Sequence, residues 1–87
     1  MTFDGALVRE QGVTFGIVVV KNHVLNSSGE AGRAIAAFRP VFPGVPLVLM
    51  AQDSRGVPTY YGRSDIVQFL ASISPSRIPW KQYTVNN

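Results

Sequence analysis

Cysteine is absent from this chain of 87 residues, and its absence excludes several kinds of chemistry at once. Without thiols the chain can form neither disulfides nor thiolate metal sites, and it has no cysteine nucleophile or dithiol redox pair. Secreted domains of this size often depend on disulfides, so the composition favours a cytoplasmic protein. One histidine and a few isolated acidic residues are too few ligands for zinc, and we expect no metal and no cofactor.

Membrane-length apolar runs and clusters of charge are also missing. The run Ile17–Val20 is far too short to span a membrane, and the N-terminus lacks the basic and apolar regions of a signal peptide. The basic residues are scattered singly along the chain, whereas nucleic-acid-binding proteins usually cluster them on one face. Nucleic acid is therefore not the favoured partner, despite a formal net charge of +3.

The chain is rich in apolar residues, which make up 46% of it, while charged residues make up 15%. This composition predicts one globular domain over residues 1–87, with residues 75–87 forming a tail that packs on the domain or extends from it. The segments Ile17–Val20 and Leu47–Met50 are apolar at every position. They therefore predict two strands that are covered on both faces.

The elements around these two strands follow from turn and capping signals. The order β-β-α-β-β-α predicts an α/β fold, with α+β as the alternative, containing a mixed sheet of about four strands and two main helices. The strand–helix–strand order in the middle predicts that the two buried strands are parallel. The predicted elements are an edge strand Ala6–Glu10 that turns at Gly12, a strand Val13–Val20, a helix with a Ser27–Glu30 capping box, a strand Val45–Ala51, an edge strand Val57–Tyr61, and a helix capped by Ser64.

The second half of this pattern carries a family resemblance. It consists of the strand Gly44–Met50, the turn Asp53–Gly56, and Gly62 followed by the helix Ser64–Ile73. This order resembles the C-terminal half of thioredoxin-like proteins, in which a cis proline precedes the equivalent strand beside the active site. Pro46 holds that position here. The family's Cys-x-x-Cys segment has no counterpart, so the resemblance implies a fold and no redox activity.

Two loops follow the buried strands, and ligands favour the carboxyl ends of parallel strands in open α/β sheets. A catalytic reading makes His23 a base, Asp53 its orienting carboxylate, and Ser27 or Ser28 a nucleophile, but no motif supports it. A second hypothesis is an anion bound at the start of the first helix, with Lys21 or Arg33 adding positive charge. Ordinary helix capping and turn formation explain the same residues. The candidate ligand-binding residues are Lys21, Asn22, His23, Ser27, Ser28, Asp53 and Arg55.

The aromatic tail offers a different kind of surface. Mixtures of Trp, Tyr and Arg recur at protein interfaces and at stacking sites for single-stranded nucleic acid. The alternative is that Trp80 folds back and seals the core of a small domain. The candidate interaction residues are Arg63, Arg77, Trp80, Lys81 and Tyr83.

Taken together, these features favour a non-enzymatic binding or protein-interaction module whose partner is another protein or a second copy of the chain. The first alternative is a small ligand-binding domain or enzyme that uses the loops Lys21–Ser28 and Gln52–Arg55. The second alternative is a nucleic-acid accessory protein, whose binding would depend on salt.

Overall fold

A computed structural model describes residues 1–10 and 12–85. Gln11 and residues 86–87, the end of the predicted tail, lie outside the described residues. Short 3-10 helices occupy three connections, at Asn22–Asn26, Arg39–Val41 and Pro75–Arg77. The longer elements are β1 (Thr2–Glu10), β2 (Val13–Val19), α1 (Ser28–Phe38), β3 (Leu47–Gln52), β4 (Pro58–Tyr61), α2 (Ser64–Ala71) and β5 (Lys81–Thr84).

The strands form one mixed sheet in the order β4-β3-β2-β1-β5. The central strands β2 and β3 pair in parallel, as the sequence predicts, and the other neighbours are antiparallel. Ile17, Val18, Val48 and Leu49 are fully buried, which confirms that these two strands are covered on both faces. β4 lies at one edge of the sheet, as its proline predicts.

Each helix covers one face of the sheet. Ile66 and Leu70 of α2 pack with Ile17 and Val48 in one apolar cluster, on the side we call the α2 face. Ala31 of α1 packs with Val18, Leu49 and Phe42 in a second cluster, on the α1 face. Gly16 is required on the α1 face, because a Cβ there would lie 2.7 Å from the Phe42 ring.

The helix starts agree with the sequence in one case and differ in the other. The Ser27 hydroxyl accepts a hydrogen bond from the Glu30 amide at 3.2 Å, so the predicted cap of α1 is confirmed. Ser64 is not the cap of α2, because it is the first helical residue and Arg63 occupies the cap position. In place of a serine cap, Asp65 supplies a negative charge in the first turn, where the helix dipole favours it.

The sheet has five strands, one more than the sequence predicts. The fifth is β5, formed by the tail, which pairs antiparallel with the first part of β1. Tyr83 of β5 stacks on Phe3 of β1, with ring centroids 5.3 Å apart, and this packing stabilises a strand that is otherwise polar. β1 accordingly starts at Thr2, well before the predicted Ala6.

β3 begins at Leu47, two residues later than predicted. The Val45–Pro46 bond is trans, since the described residues contain no cis peptide bond. Pro46 immediately precedes the strand, and its carbonyl accepts a hydrogen bond from the Gly16 amide at 2.9 Å.

Candidate functional site

The two loops predicted to bind a ligand lie at the same end of the sheet, where β2 and β3 have their carboxyl ends. Val20, just past β2, donates its backbone N–H to the carbonyl of Met50 in β3 at 2.8 Å. The connection after β2 forms the 3-10 helix Asn22–Asn26, which packs against β3 and directs its apolar side chains Val24 and Leu25 toward the α1-face cluster.

Most polar side chains at this edge either hold local structure or lie exposed. The Asp53 carboxylate accepts hydrogen bonds from the backbone amides of Arg55 at 2.8 Å and Val57 at 3.0 Å, which stabilises the turn between β3 and β4. Within residues 1–10 and 12–85, no hydrogen bond connects His23 with Asp53 or with a serine hydroxyl. Ser27 is exposed and caps α1. The remaining exposed candidates are Lys21, Asn22, His23, Ser28 and Arg55.

The described residues contain no group of three or more His, Asp or Glu side chains that could hold a metal ion. In the same part of the chain, no helix is long and apolar enough to cross a membrane.

A groove of about 500 Å³ opens on the α2 face at the carboxyl ends of β2 and β3, and we call it the Trp80 groove. Gln82 and Asp4 are direct partners in the strand pairing, as are Val19 and Met50, and all four side chains line the groove. The indole Nε1 of Trp80 donates a hydrogen bond to the Pro75 carbonyl at 2.9 Å, which fixes the ring at the wall of the groove.

The predicted interaction residues are divided between the two faces of the sheet. Tyr83 belongs to the α1-face cluster, and the Lys81 ammonium lies 4.8 Å from its ring centroid. Trp80 packs instead against the α2-face cluster. Arg63, at the start of α2, binds Asp65 through two hydrogen bonds of 2.7 and 2.8 Å. These bonds hold the pKa of Asp65 below its ordinary value and raise the pKa of Arg63.

The outer side of β1 is only partly paired. β5 pairs with Thr2–Gly5 of β1, whereas β1 continues to Glu10. The tail pairs with β1 only from Lys81 onward. Pro79, the next residue of the tail that could exchange hydrogen bonds with β1, has no N–H, and the Trp80 amide bonds to the Ile78 carbonyl at 2.8 Å. Residues 6–10 of β1 therefore have no strand partner on this side among residues 1–10 and 12–85, and we call this backbone the open edge.

The hydrogen-bond pattern identifies which backbone groups point out of the open edge. Met1 and Val85 exchange both of their backbone hydrogen bonds, at 3.2 and 2.8 Å. Because such pairs alternate along an antiparallel ladder, the odd-numbered residues of β1 direct their N–H and C=O groups toward β5. At the open edge these residues are Leu7 and Arg9, and no described strand receives their groups.

A cleft of about 380 Å³ borders the open edge. Leu7 is 52% exposed, which makes it one of the few large apolar side chains on the described surface. Within residues 1–10 and 12–85 the sole ion pair joins Arg63 to Asp65, so the two arginines beside the cleft, Arg9 and Arg77, have no acidic partner. The cleft is lined by Leu7, Val8, Arg9, Glu10, Phe69, Ile73, Arg77, Ile78 and Pro79.

Comparisons with protein-family models, curated proteins and solved structures found no match to this chain. Sequence reasoning missed the open edge as a site, although Pro79 was a signal for it. A proline cannot donate to a ladder, so a strand formed by the tail had to end near that residue.

Proposed function

We propose that this chain is a non-enzymatic protein-interaction module that takes up an extended segment of another protein along the open edge of β1. The observation that carries the proposal is the difference in length between β1 and β5, which leaves the outward backbone groups of Leu7 and Arg9 without a strand partner in the part of the chain that the structure describes. Strand addition uses such groups for affinity and the neighbouring side chains for specificity.

The open edge is better suited to this role than the outer edge of β4. The backbone N–H of Asp53 donates to the Val57 carbonyl at 3.1 Å, so Val57 faces β3. Because the direction alternates along the strand, the backbone groups of Pro58 and Tyr60 point outward from β4. Proline has no N–H, and β4 therefore lacks one of the donors that an added strand would need.

Charge supports another protein as the partner over a second copy of the chain. Two copies that pair antiparallel about a twofold axis must align symmetrically around one residue. Centring on Val8 places Arg9 opposite Leu7, and centring on Arg9 places two arginines opposite each other. Centring on Leu7 places Arg9 opposite Gly5, which is already paired with β5. None of these registers gives Arg9 an acidic neighbour, and like charges directly opposite each other destabilise a strand pair.

Other features of the function stay predictions. The hydrogen bonds that engage Asp53 and Ser27 in turn and cap formation support a binding role over catalysis. The thioredoxin-like arrangement of the second half stays a prediction from the strand and helix order, and the absence of cysteine favours a cytoplasmic location. Neither adds an activity.

The test is an NMR titration of the ¹⁵N-labelled chain with a short, uncharged peptide rich in Thr and Val, which favours extended structure. We expect chemical-shift changes at the amides of Leu7 and Arg9 and at residues that line the cleft. Changes confined to β4, or none at millimolar peptide, would remove the proposal. A solution mass of two chains, with the same amides shifted by self-association, would replace the foreign partner with a second copy.

Proline variants show whether the open edge itself binds. Leu7→Pro removes an outward-pointing N–H while leaving the hydrogen bonds between β1 and β2, and we expect it to abolish the shift changes. Gln82→Pro is the matched control, because the same alternation points the Gln82 amide outward from β5. Circular dichroism verifies folding, and Arg9→Pro is the second blocking variant if Leu7→Pro does not fold.

The Trp80 groove supports a second candidate function, a small-ligand site. Its position at the carboxyl ends of parallel strands is where α/β sheets commonly bind ligands. Trp80 is the only tryptophan of the chain, so its emission reports directly on occupancy. A titration with a library of small organic fragments tests this function, and constant emission with every fragment would remove it.

A further inference from the structure

The side chains along the open edge define which segment would fit it, if the proposed function is correct. Leu7 and Arg9 share the face of β1 that carries Phe3, which packs in the α1-face cluster. Val8, between them, points to the α2 face and is 8% exposed beside Ile78. An added strand would meet the same alternation, with one residue opposite each of the three.

We expect an apolar residue opposite Leu7 in an added strand. Its partner in β2 is Gly16, which has no side chain to cover it, and Leu7 remains 52% exposed. An apolar residue directly opposite in an added strand would remove this surface from water. The residue opposite Val8 would point into the cleft, where the apolar side chains of Ile73 and Ile78 would contact it.

We expect an acidic residue opposite Arg9 in an added strand. It is exposed, its partner in β2 is the uncharged Thr14, and it has no ion pair among the described residues. A carboxylate directly opposite in an added strand would pair with the guanidinium, whereas a cation there would be repelled.

We infer that the open edge takes up an extended segment carrying an acidic residue followed by two apolar residues, aligned antiparallel to β1. The acidic residue lies opposite Arg9, and the apolar residues lie opposite Val8 and Leu7. The order of the three residues follows from the antiparallel alignment, since an antiparallel segment meets Arg9 before Leu7.

The test compares two eight-residue peptides that differ at one position. Both contain a Val-Val pair in a Thr-rich context, preceded by Glu in one peptide and by Lys in the other. We expect the Glu peptide to bind about three- to tenfold more tightly, with shift changes at Leu7 and Arg9, because one favourable pair replaces one repulsion. Added salt should reduce this preference.

Charge reversal on the chain separates pairing from general attraction. Arg9→Glu should make the Lys peptide the tighter ligand, and Arg9→Gln should leave the two peptides nearly equal. Arg55→Glu is the matched control, because it changes the net charge equally in the turn between β3 and β4, at the opposite end of the sheet. It should leave the Glu peptide ahead.

The outcomes distinguish this inference from the proposed function. Equal binding of both peptides at the open edge, unchanged in Arg9→Glu, would overturn the acidic specificity and leave strand addition in place. A reversal that Arg55→Glu reproduces would also overturn it, because net charge would then explain the preference. If neither charged peptide nor the uncharged one shifts the open edge, the proposed function fails with it.

Discussion

The centre of the sheet and the open edge of β1 are built from similar strands but differ in what surrounds them. In β3, Val48 and Leu49 are fully buried, and the strand has a hydrogen-bonded neighbour on each side. In β1, Leu7 is half exposed, and the outward groups of Leu7 and Arg9 have no described partner. Side chains at the centre therefore contribute to stability, while the open edge retains unused backbone groups for recognition.

The distribution of polar residues follows the same division. Within the described residues no polar or charged residue belongs to the buried set, and ionised groups lie at the periphery. The buried residues of the described chain are therefore apolar and provide packing. The polar groups available for recognition therefore lie at edges, loops and clefts, and we make five predictions from this division.

The largest effect is expected at the centre. Leu49→Ala removes most of a fully buried side chain between α1 and the sheet, and should lower the free energy of unfolding by about 2–5 kcal/mol. Urea denaturation followed by circular dichroism measures the change. A loss comparable to that of a surface substitution would show that this part of the sheet is not the stabilising core.

Close packing at the centre predicts the next largest effect. Gly16→Ala would place its Cβ 2.7 Å from the Phe42 ring, so the ring or the strand must shift, at a cost of about 1–3 kcal/mol. Gly32→Ala is the matched control, because a Cβ on this exposed position of α1 meets nothing within 4 Å. The control should be stabilising by about 0.5–1 kcal/mol, since alanine favours the helix. Equal effects in urea denaturation would contradict the close approach of Phe42 to β2.

The centre of the sheet could be predicted from the sequence, whereas the open edge could not. The apolar runs at Ile17–Val20 and Leu47–Met50 suffice to predict two covered strands, and the short helix between them implies parallel pairing. β5 is short and mostly polar, so nothing local marks it as a strand. It depends on stacking between Tyr83 and Phe3, which are far apart in the chain.

The same limit applies to the candidate sites. The sequence indicates which loops follow the parallel strands. The hydrogen bond between Val20 and Met50 does bring those loops to one end of the sheet. It does not reveal that the Asp53 carboxylate is engaged by two backbone amides. The open edge depends on where β5 ends relative to β1, which is set by tertiary pairing and by Pro79.

Tyr60 lies in β4, opposite Met50 of β3. Substitution of this residue should change the free energy of unfolding less than the two preceding variants do, and should raise it. Its hydroxyl is buried without a hydrogen-bond partner among the described residues, and such a group is costly. Tyr60→Phe should therefore raise the free energy of unfolding by up to about 1 kcal/mol. Tyr61→Phe is the matched control, because the Tyr61 hydroxyl is not a buried unpartnered group, and it should change stability little.

The same side chain gives a pH dependence. Burial raises the pKa of Tyr60 above its ordinary value, so the unfolded chain loses this proton before the folded chain does. The stability that Tyr60 contributes through this shift is complete below about pH 10 and is lost as the pH rises through the folded-state pKa. Thermal melting at rising alkaline pH should decline less steeply in Tyr60→Phe than in the natural chain. Parallel declines would contradict burial of this phenol.

The smallest effect on stability is expected at the open edge, where Leu7→Ala repeats the chemical change of Leu49→Ala. Since Leu7 is already 52% exposed, the free energy of unfolding should change by no more than about 0.5 kcal/mol in the same urea experiment. Binding of the Glu-Val-Val peptide should nevertheless weaken, because the apolar contact opposite Leu7 is lost. A stability loss equal to that of Leu49→Ala would mean that Leu7 belongs to the core. Unchanged peptide affinity would mean that the open edge binds through its backbone alone.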